Sequence, residues 1–245
     1  MTVSPATFPS THRITIVLVH GAWTNGSGWR PVHDRLIEKG HSVVVTQQPL
    51  TSFEADVAAV ARVLAMQPGP VVLVGHCYGG AVITRVGNDP KVRALVYIAA
   101  HALEENETPL GNDRKFVDPA SHAGADVRTT PEGFLYFEPS AYIEDYAADL
   151  DPATALFQAH AQVPTALGAF DVPATHPAWK DKPSWYMVAG ADRILSPDLE
   201  RMYGRRAGST VVEVPGASHA VHQSHPQEVT RLIEEAAASC HVLPD

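Results

Sequence analysis

The chain has two cysteines in 245 residues, Cys77 and Cys240. That is too few for a disulfide framework, and it fits a protein that keeps free thiols in a reducing compartment, expected to be the cytoplasm. Long apolar runs are missing too. No stretch approaches the roughly 20 residues of a membrane span, and Met1–Arg13 contain no apolar core of a secretion signal. Positive charge is scarce: 18 Lys and Arg against 27 Asp and Glu leave a formal net charge of −9. Such an acidic balance argues against nucleic acid or anionic membrane as a partner. A small molecule is the expected ligand, and the chain is expected to act as a monomer or homodimer.

The hydrophobic content of 45% is enough for one full core. Short apolar, β-branched runs occur at Ile14–Val19, Ser42–Thr46, Val71–Val74, Ala94–Ala99, Ser184–Ala189 and Thr210–Val214. Most read as strands buried on both faces. Helical patterns lie between them at Arg30–Lys39, Phe53–Met66 and Gly80–Gly87, and a last one runs from Pro226 to about Ser239. Thr51-Ser-Phe-Glu54 has capping-box spacing ahead of the second helix. Alternating strands and helices predict an α/β fold with a doubly wound, mostly parallel sheet. Residues 103–182 break the alternation, so the core is expected to comprise 1–102 and 183–245, with 103–182 inserted as a cap, or lid. Within this insert Ser140–Asp149 and Pro152–Val163 read as weak helices, and Phe134-Leu-Tyr-Phe137 as an aromatic cluster.

The most informative segment is Val71-Val-Leu-Val-Gly75-His76-Cys77-Tyr78-Gly79-Gly80. A strand, a tight turn with glycine two positions either side of its apex, and a helix make a nucleophile elbow, in which the apex residue is pushed toward a ligand. A bare G-x-C-x-G pattern is common, and the flanking strand and helix supply the specificity. The alternative for Cys77, a small buried hydrophobe, is the commoner fate of a free cysteine.

A nucleophile needs a base and a group that orients the base. After the strand Ser184–Ala189 comes Asp192, and after Thr210–Val214 comes His219, each in a loop at the strand's end and in the order acid then histidine. Asp192 has a solvated turn as its alternative reading. Among 13 histidines, position favours His219. His222 and His225 are the alternatives, read as lining the loop or capping the last helix, while His20 and His76 read as structural. The turn after the first strand, His20-Gly21-Ala22-Trp23, offers an oxyanion hole from the backbone N–H of Ala22 or Trp23 together with that of Tyr78. His101 and the aromatics Trp23, Phe134, Tyr136 and Phe137 are candidate pocket residues, with an ordinary core in the insert as the alternative for the aromatics.

Taken together, V-L-V-H-G-A at Val17–Ala22, Trp29, G-H-C-Y-G-G at Gly75–Gly80, Asp192 and G-A-S-H at Gly216–His219 resemble the α/β-hydrolase superfamily over nearly the full chain. Within it, the chain is similar to compact bacterial relatives of plant methylesterases and hydroxynitrile lyases. The resemblance implies esterase-type activity with no cofactor and no metal, with Cys77 as nucleophile, Asp192 as acid, His219 as base, and Ala22 and Tyr78 as oxyanion donors. The departure is Cys77, since those relatives carry serine at the apex, whereas dienelactone-hydrolase-like members carry cysteine.

The expected function is a hydrolase that cleaves ester, lactone or thioester bonds through an acyl-Cys77 intermediate. Amides are expected to be poor substrates, because a thiolate leaves the tetrahedral intermediate more readily than an amine. Three other readings remain at this level: a carboxylesterase whose serine is altered to cysteine, a lyase in which Cys77 and His219 move protons without a covalent intermediate, and a receptor-like binder of low turnover.

Overall fold

A computed structural model describes residues 14–116 and 127–240. The strands are β1 (Thr15–Val19), β2 (Ser42–Val45), β3 (Val71–Cys77), β4 (Val92–Ala100), β5 (Val127–Thr129), β6 (Phe134–Phe137), β7 (Thr165–Ala166), β8 (Ser184–Ala189) and β9 (Thr210–Val214). The helices are α1 (Arg30–Glu38), α2 (Phe53–Ala65), α3 (Gly79–Val86), α4 (Pro109–Asp113), α5 (Pro139–Ala141), α6 (Pro152–His160), α7 (Pro197–Arg206), α8 (Val221–Ser224) and α9 (Pro226–Ser239).

Six strands form one parallel sheet in the order β2-β1-β3-β4-β8-β9. Successive side chains of β1 and β3 alternate between two apolar cores. Val17, Val19 and Leu73 join the face with Val60, Val82 and Ile83, whereas Ile16, Leu18, Val72 and Val74 join the face with Leu36, Leu232 and Ile233. This is the two-sided burial that a parallel sheet under helices demands. The two outer strands depart from it. β2 is half-buried throughout, and Thr210 to Glu213 of β9 are exposed, because each has a neighbour on one side only.

The helix caps show a further correction. Ser52, not Thr51, caps α2, its Oγ accepting from the Ala55 N–H at 3.1 Å. Glu54 then lies in the first turn, where the helix dipole favours an acid.

Between β4 and β8 the chain builds a second, antiparallel sheet in the order β5-β6-β7. The aromatic cluster at Phe134–Phe137 is therefore a strand. The helix expected over Ser140–Asp149 is shorter and wider: α5 runs into a π-turn at Tyr142–Tyr146, closed by the Ala147 N–H on the Tyr142 carbonyl at 3.1 Å. Residues 117–126 of the expected insert, and the amino-terminal Met1–Arg13, lie outside the described residues.

The insert is bonded to the sheet beside the elbow. The Trp23 N–H donates to Thr165 Oγ1 at 3.1 Å, the Trp23 indole donates to the Leu135 carbonyl at 3.1 Å, and the Ala220 N–H donates to the Tyr146 carbonyl at 3.0 Å. At its start, Glu107 holds the insert to α7 through paired bonds from Arg206 at 2.7 and 2.8 Å.

Two consequences are measurable. A β-carbon on Gly79 would stand 2.6 Å from the His20 carbonyl oxygen and 2.8 Å from that of Val19. Gly79→Ala is expected to cost roughly 1–3 kcal/mol in urea unfolding, whereas Gly168→Ala, with nothing within 4 Å of the new carbon, stays within about 0.5 kcal/mol. Burial pushes the Glu107 carboxyl up, but Arg206, the Glu104 N–H and Asn112 outweigh it and bring it down to about 2 from 4.5. A carboxylate lowered in the folded state stabilises above its unfolded value and loses that contribution as pH falls. Glu107→Gln should therefore lower the melting temperature at neutral pH, and the difference from wild type should shrink as pH falls from about 5 toward 2.

Candidate active site

Cys77 ends β3 and adopts φ +53°, left-handed backbone that a side chain rarely takes. Trp23 at φ +56° and Ala99 at φ +43° flank it, so three strained non-glycine residues meet at one end of the sheet. Glycine is required around this bend. A β-carbon on Gly75 would lie 2.7 Å from the Gly79 carbonyl oxygen, and one on Gly21 would lie 2.6 Å from the Cys77 β-carbon. The register with β4 shifts between His76 and Cys77, and the His101 N–H fastens the Cys77 carbonyl at 3.1 Å.

The loops after β8 and β9 bring Asp192 and His219 together. His219 Nδ1–H donates to Asp192 Oδ2 at 2.5 Å, with both side chains buried. Asp192 is itself fixed, since its Oδ1 accepts from the N–H of Ile194 at 2.7 Å and of Leu195 at 2.9 Å. Burial works against charge on His219. The Asp192 carboxylate and the Cys77 side chain outweigh it and raise the imidazole to about 10. No protein group among the described residues forms a well-aligned hydrogen bond with His219 Nε2, and the Cys77 side chain is its neighbour.

The other histidines divide cleanly. His20 Nδ1–H donates to the Gly21 carbonyl at 2.8 Å, while its Nε2 accepts from the Gln48 N–H at 3.0 Å, so it holds the turn. Burial lowers it to about 4 against that bond. His76 Nε2–H donates to the His219 carbonyl at 2.9 Å and steadies the loop of the base. His222 packs at a tilt against His76 with ring centroids 4.1 Å apart, and His225 precedes α9 as its cap residue. The Trp23 amide is committed to Thr165. The amides of Ala22 and Tyr78 have no protein partner among the described residues.

A cleft of about 420 Å³ opens in the insert, walled by Trp23, Leu135, Phe137 and Phe170 with Ile194, and carrying Asp113 and Arg114 as charged residues. Trp23 and Phe137 line it. Phe134 does not: Leu135 and Phe137 take the cleft side of β6, and the two-residue period of a strand turns Phe134 and Tyr136 away. His101 is also absent from the wall. It is buried behind Asp113, with Nδ1 3.9 Å from Asp113 Oδ1 and 3.4 Å from the Tyr203 hydroxyl. Burial lowers His101 to about 3 and lifts Asp113 to about 7.

The expectation that the elbow pushes Cys77 into the open needs correcting. The thiol is 2% exposed and is not part of the cleft wall, because Phe137, Tyr142 and Tyr146 of the insert pack into the same apolar cluster over it. Tyr142 and Tyr146 stack with centroids 4.5 Å apart, and Tyr146 stands edge-on to His219 at 4.6 Å. Their four-residue spacing was the available signal, though it does not reveal the π-turn that stacks them. Glu200, fully buried beside Asp192, is a second unforeseen residue. It shares one stripe of α7 with buried Tyr203 and Gly204, a spacing that marks an inward-facing carboxyl.

Comparisons with known proteins agree with this fold. Over 106 residues the chain is 33% identical to the carbendazim hydrolyzing esterase of Nocardioides sp. (strain SG-4G), a match covering 38% of this chain and 44% of that esterase. It is 25% identical to Methylesterase 18 of Arabidopsis thaliana, covering 91% of this chain and 97% of the relative. The pyrethroid hydrolase of Sphingobium faniae JZ-2 superposes with a TM-score of 0.75 at 23% identity, covering 92% and 98% of the two chains, and shows the shared fold. Residues 16–232 match the family described as alpha/beta hydrolase. With most of its length matched, and with an elbow, an acid loop and a histidine loop at one end of a parallel sheet, the chain belongs to the alpha/beta hydrolase family.

Proposed function

We propose that this protein is an esterase-type hydrolase that cleaves ester, lactone or thioester bonds of a small molecule through an acyl-Cys77 intermediate. The observation that carries the reading is the His219–Asp192 hydrogen bond of 2.5 Å, formed beside a cysteine at φ +53°. A buried imidazole with its Nδ1 proton given to a carboxylate and its Nε2 turned to a thiol is arranged for proton transfer to and from sulfur.

In the first half-reaction Cys77 Sγ, with the proton of the pair held on His219, bonds to the acyl carbon, and the developing oxyanion accepts from the Ala22 and Tyr78 amides. Collapse of the tetrahedral intermediate breaks the bond to the leaving group, which takes the proton from His219. Acylation also removes the sulfur's contribution to the charge on His219. The imidazole then gives up a proton more readily and can act as base toward water in the second half-reaction. Attack of that water breaks the bond to sulfur, releases the acid and leaves the water's proton on His219, which restores the starting pair.

The apolar, aromatic-walled cleft suits a substrate with a ring or short chain, and the carbendazim hydrolyzing relative supports a small ester. Because the thiol is covered, the insert or the Trp23 loop has to move for substrate to reach it.

Cys77→Ala is expected to abolish hydrolysis of p-nitrophenyl acetate, while Cys77→Ser retains or increases it. Unchanged turnover in the alanine variant rejects a covalent role for the thiol. Asp192→Asn should lower kcat by roughly 10³-fold or more, as loss of the orienting acid does in triad enzymes. The sign of the pH effect follows from His219. Its imidazolium is present below about 10, so kcat/KM should fall as pH rises through that value. Removing the Asp192 charge moves this alkaline limb to lower pH, and a limb that stays in place contradicts the assignment of His219.

A further inference from the structure

Helix α7 turns one carboxyl inward. Glu200 has no exposed surface and sits on the same stripe as Leu199, Tyr203 and Gly204. Its Oε2 accepts from the N–H of Ala189, the last residue of β8, at 3.0 Å. Its Oε1 has no N–H or O–H partner among the described residues, although the atom is fully buried. What it meets instead is the carboxyl of Asp192, within hydrogen-bonding contact.

Two carboxylates in contact in a dry interior cannot both ionise without a cation each. Here the cation is the His219 imidazolium, and Asp192 Oδ2 already holds it. The remaining groups that act on Glu200 are Asp192, Cys77 and Tyr186, none of which carries positive charge. Asp192 can accept one bond more. Its Oδ1 takes the Ile194 and Leu195 amides and its Oδ2 takes His219, and a carboxylate offers about four lone-pair sites.

We propose that Glu200 is a positioning residue of the site, held as the neutral acid and donating its O–H to Asp192, so that the line Cys77–His219–Asp192 extends one carboxyl further into the core. The inference rests on the triad reading above. Burial first, and the Asp192 charge second, push the Glu200 carboxyl well above the usual range, in agreement with that arrangement. The bond ties Asp192 to the end of β8 through Ala189 and keeps its Oδ2 aimed at His219.

Infrared difference spectra and two variants test this. At about pH 8, ordinary carboxylates are ionised, and the wild type minus Glu200→Gln spectrum should carry the C=O band of a protonated carboxylic acid. This readout concerns the proton alone and stands whether or not any ester is turned over, so it separates failure of this inference from failure of the triad reading. Glu200→Leu removes the donor and should lower kcat roughly tenfold or more, the worth of one hydrogen bond to a charged group, with KM within about twofold. Glu200→Gln keeps a neutral donor to Asp192 and an acceptor for Ala189, so it should rescue kcat and leave the alkaline limb of kcat/KM in place. Absence of the infrared band overturns the inference, as does full kcat in Glu200→Leu or a downward move of the alkaline limb in Glu200→Gln. Should the leucine variant fail to fold, the band and the glutamine variant still decide.

Discussion

An imidazole with no exposed surface would ordinarily give up its proton, because charge is costly where water cannot reach. The 2.5 Å bond from His219 to Asp192 reverses that preference, and the site's chemistry depends on it. The two residues come from loops after adjacent strands, so the parallel pairing of β8 with β9 is what brings them into reach. Asp192 is then held by the amides of its own turn and by the carboxyl behind it, and His219 by the His76 ring beneath its carbonyl. A neutral Glu200 on this view keeps the site's charge in balance: one carboxylate faces one imidazolium.

Strain and cover act together at the elbow. Positive φ at Cys77, Trp23 and Ala99 is tolerated because glycines allow backbone to pass at distances a β-carbon would forbid. The same crowding explains why the thiol lies under the insert. Trp23 joins the two layers, its amide bonded to Thr165, its indole bonded to Leu135 and its ring packed on Phe137 and Phe170. The loop proposed to shape the oxyanion hole is thereby bonded to the cleft wall.

The central sheet was legible because its strands are short β-branched runs separated by amphipathic helices, and their ends agree with the structure to within a few residues. The places of Cys77, Asp192 and His219 followed from strand ends, since parallel strands deliver their following loops to one edge. The insert was not legible for physical reasons. Its strands have two to four residues each, too few for a period to emerge. Its widened turn at Tyr142–Tyr146 shares the spacing of an ordinary helix. The aromatic cluster points to Phe134 as a pocket residue and the end of the fourth strand points to His101, but strand alternation and the depth of β4's end place them elsewhere. Glu200 hid as an acid in a first helical turn, where a solvent-facing carboxylate is the common case.

The account stands most directly on whether sulfur becomes acylated. Rapid-quench intact-mass analysis of the protein mixed with excess p-nitrophenyl acetate, followed by peptide mapping, reads this without reference to rates. The account predicts transient gain of one acetyl group, located on Cys77 and discharged as substrate is exhausted. Turnover with no adduct at any quench time, or an acetyl group carried on another residue, would contradict it.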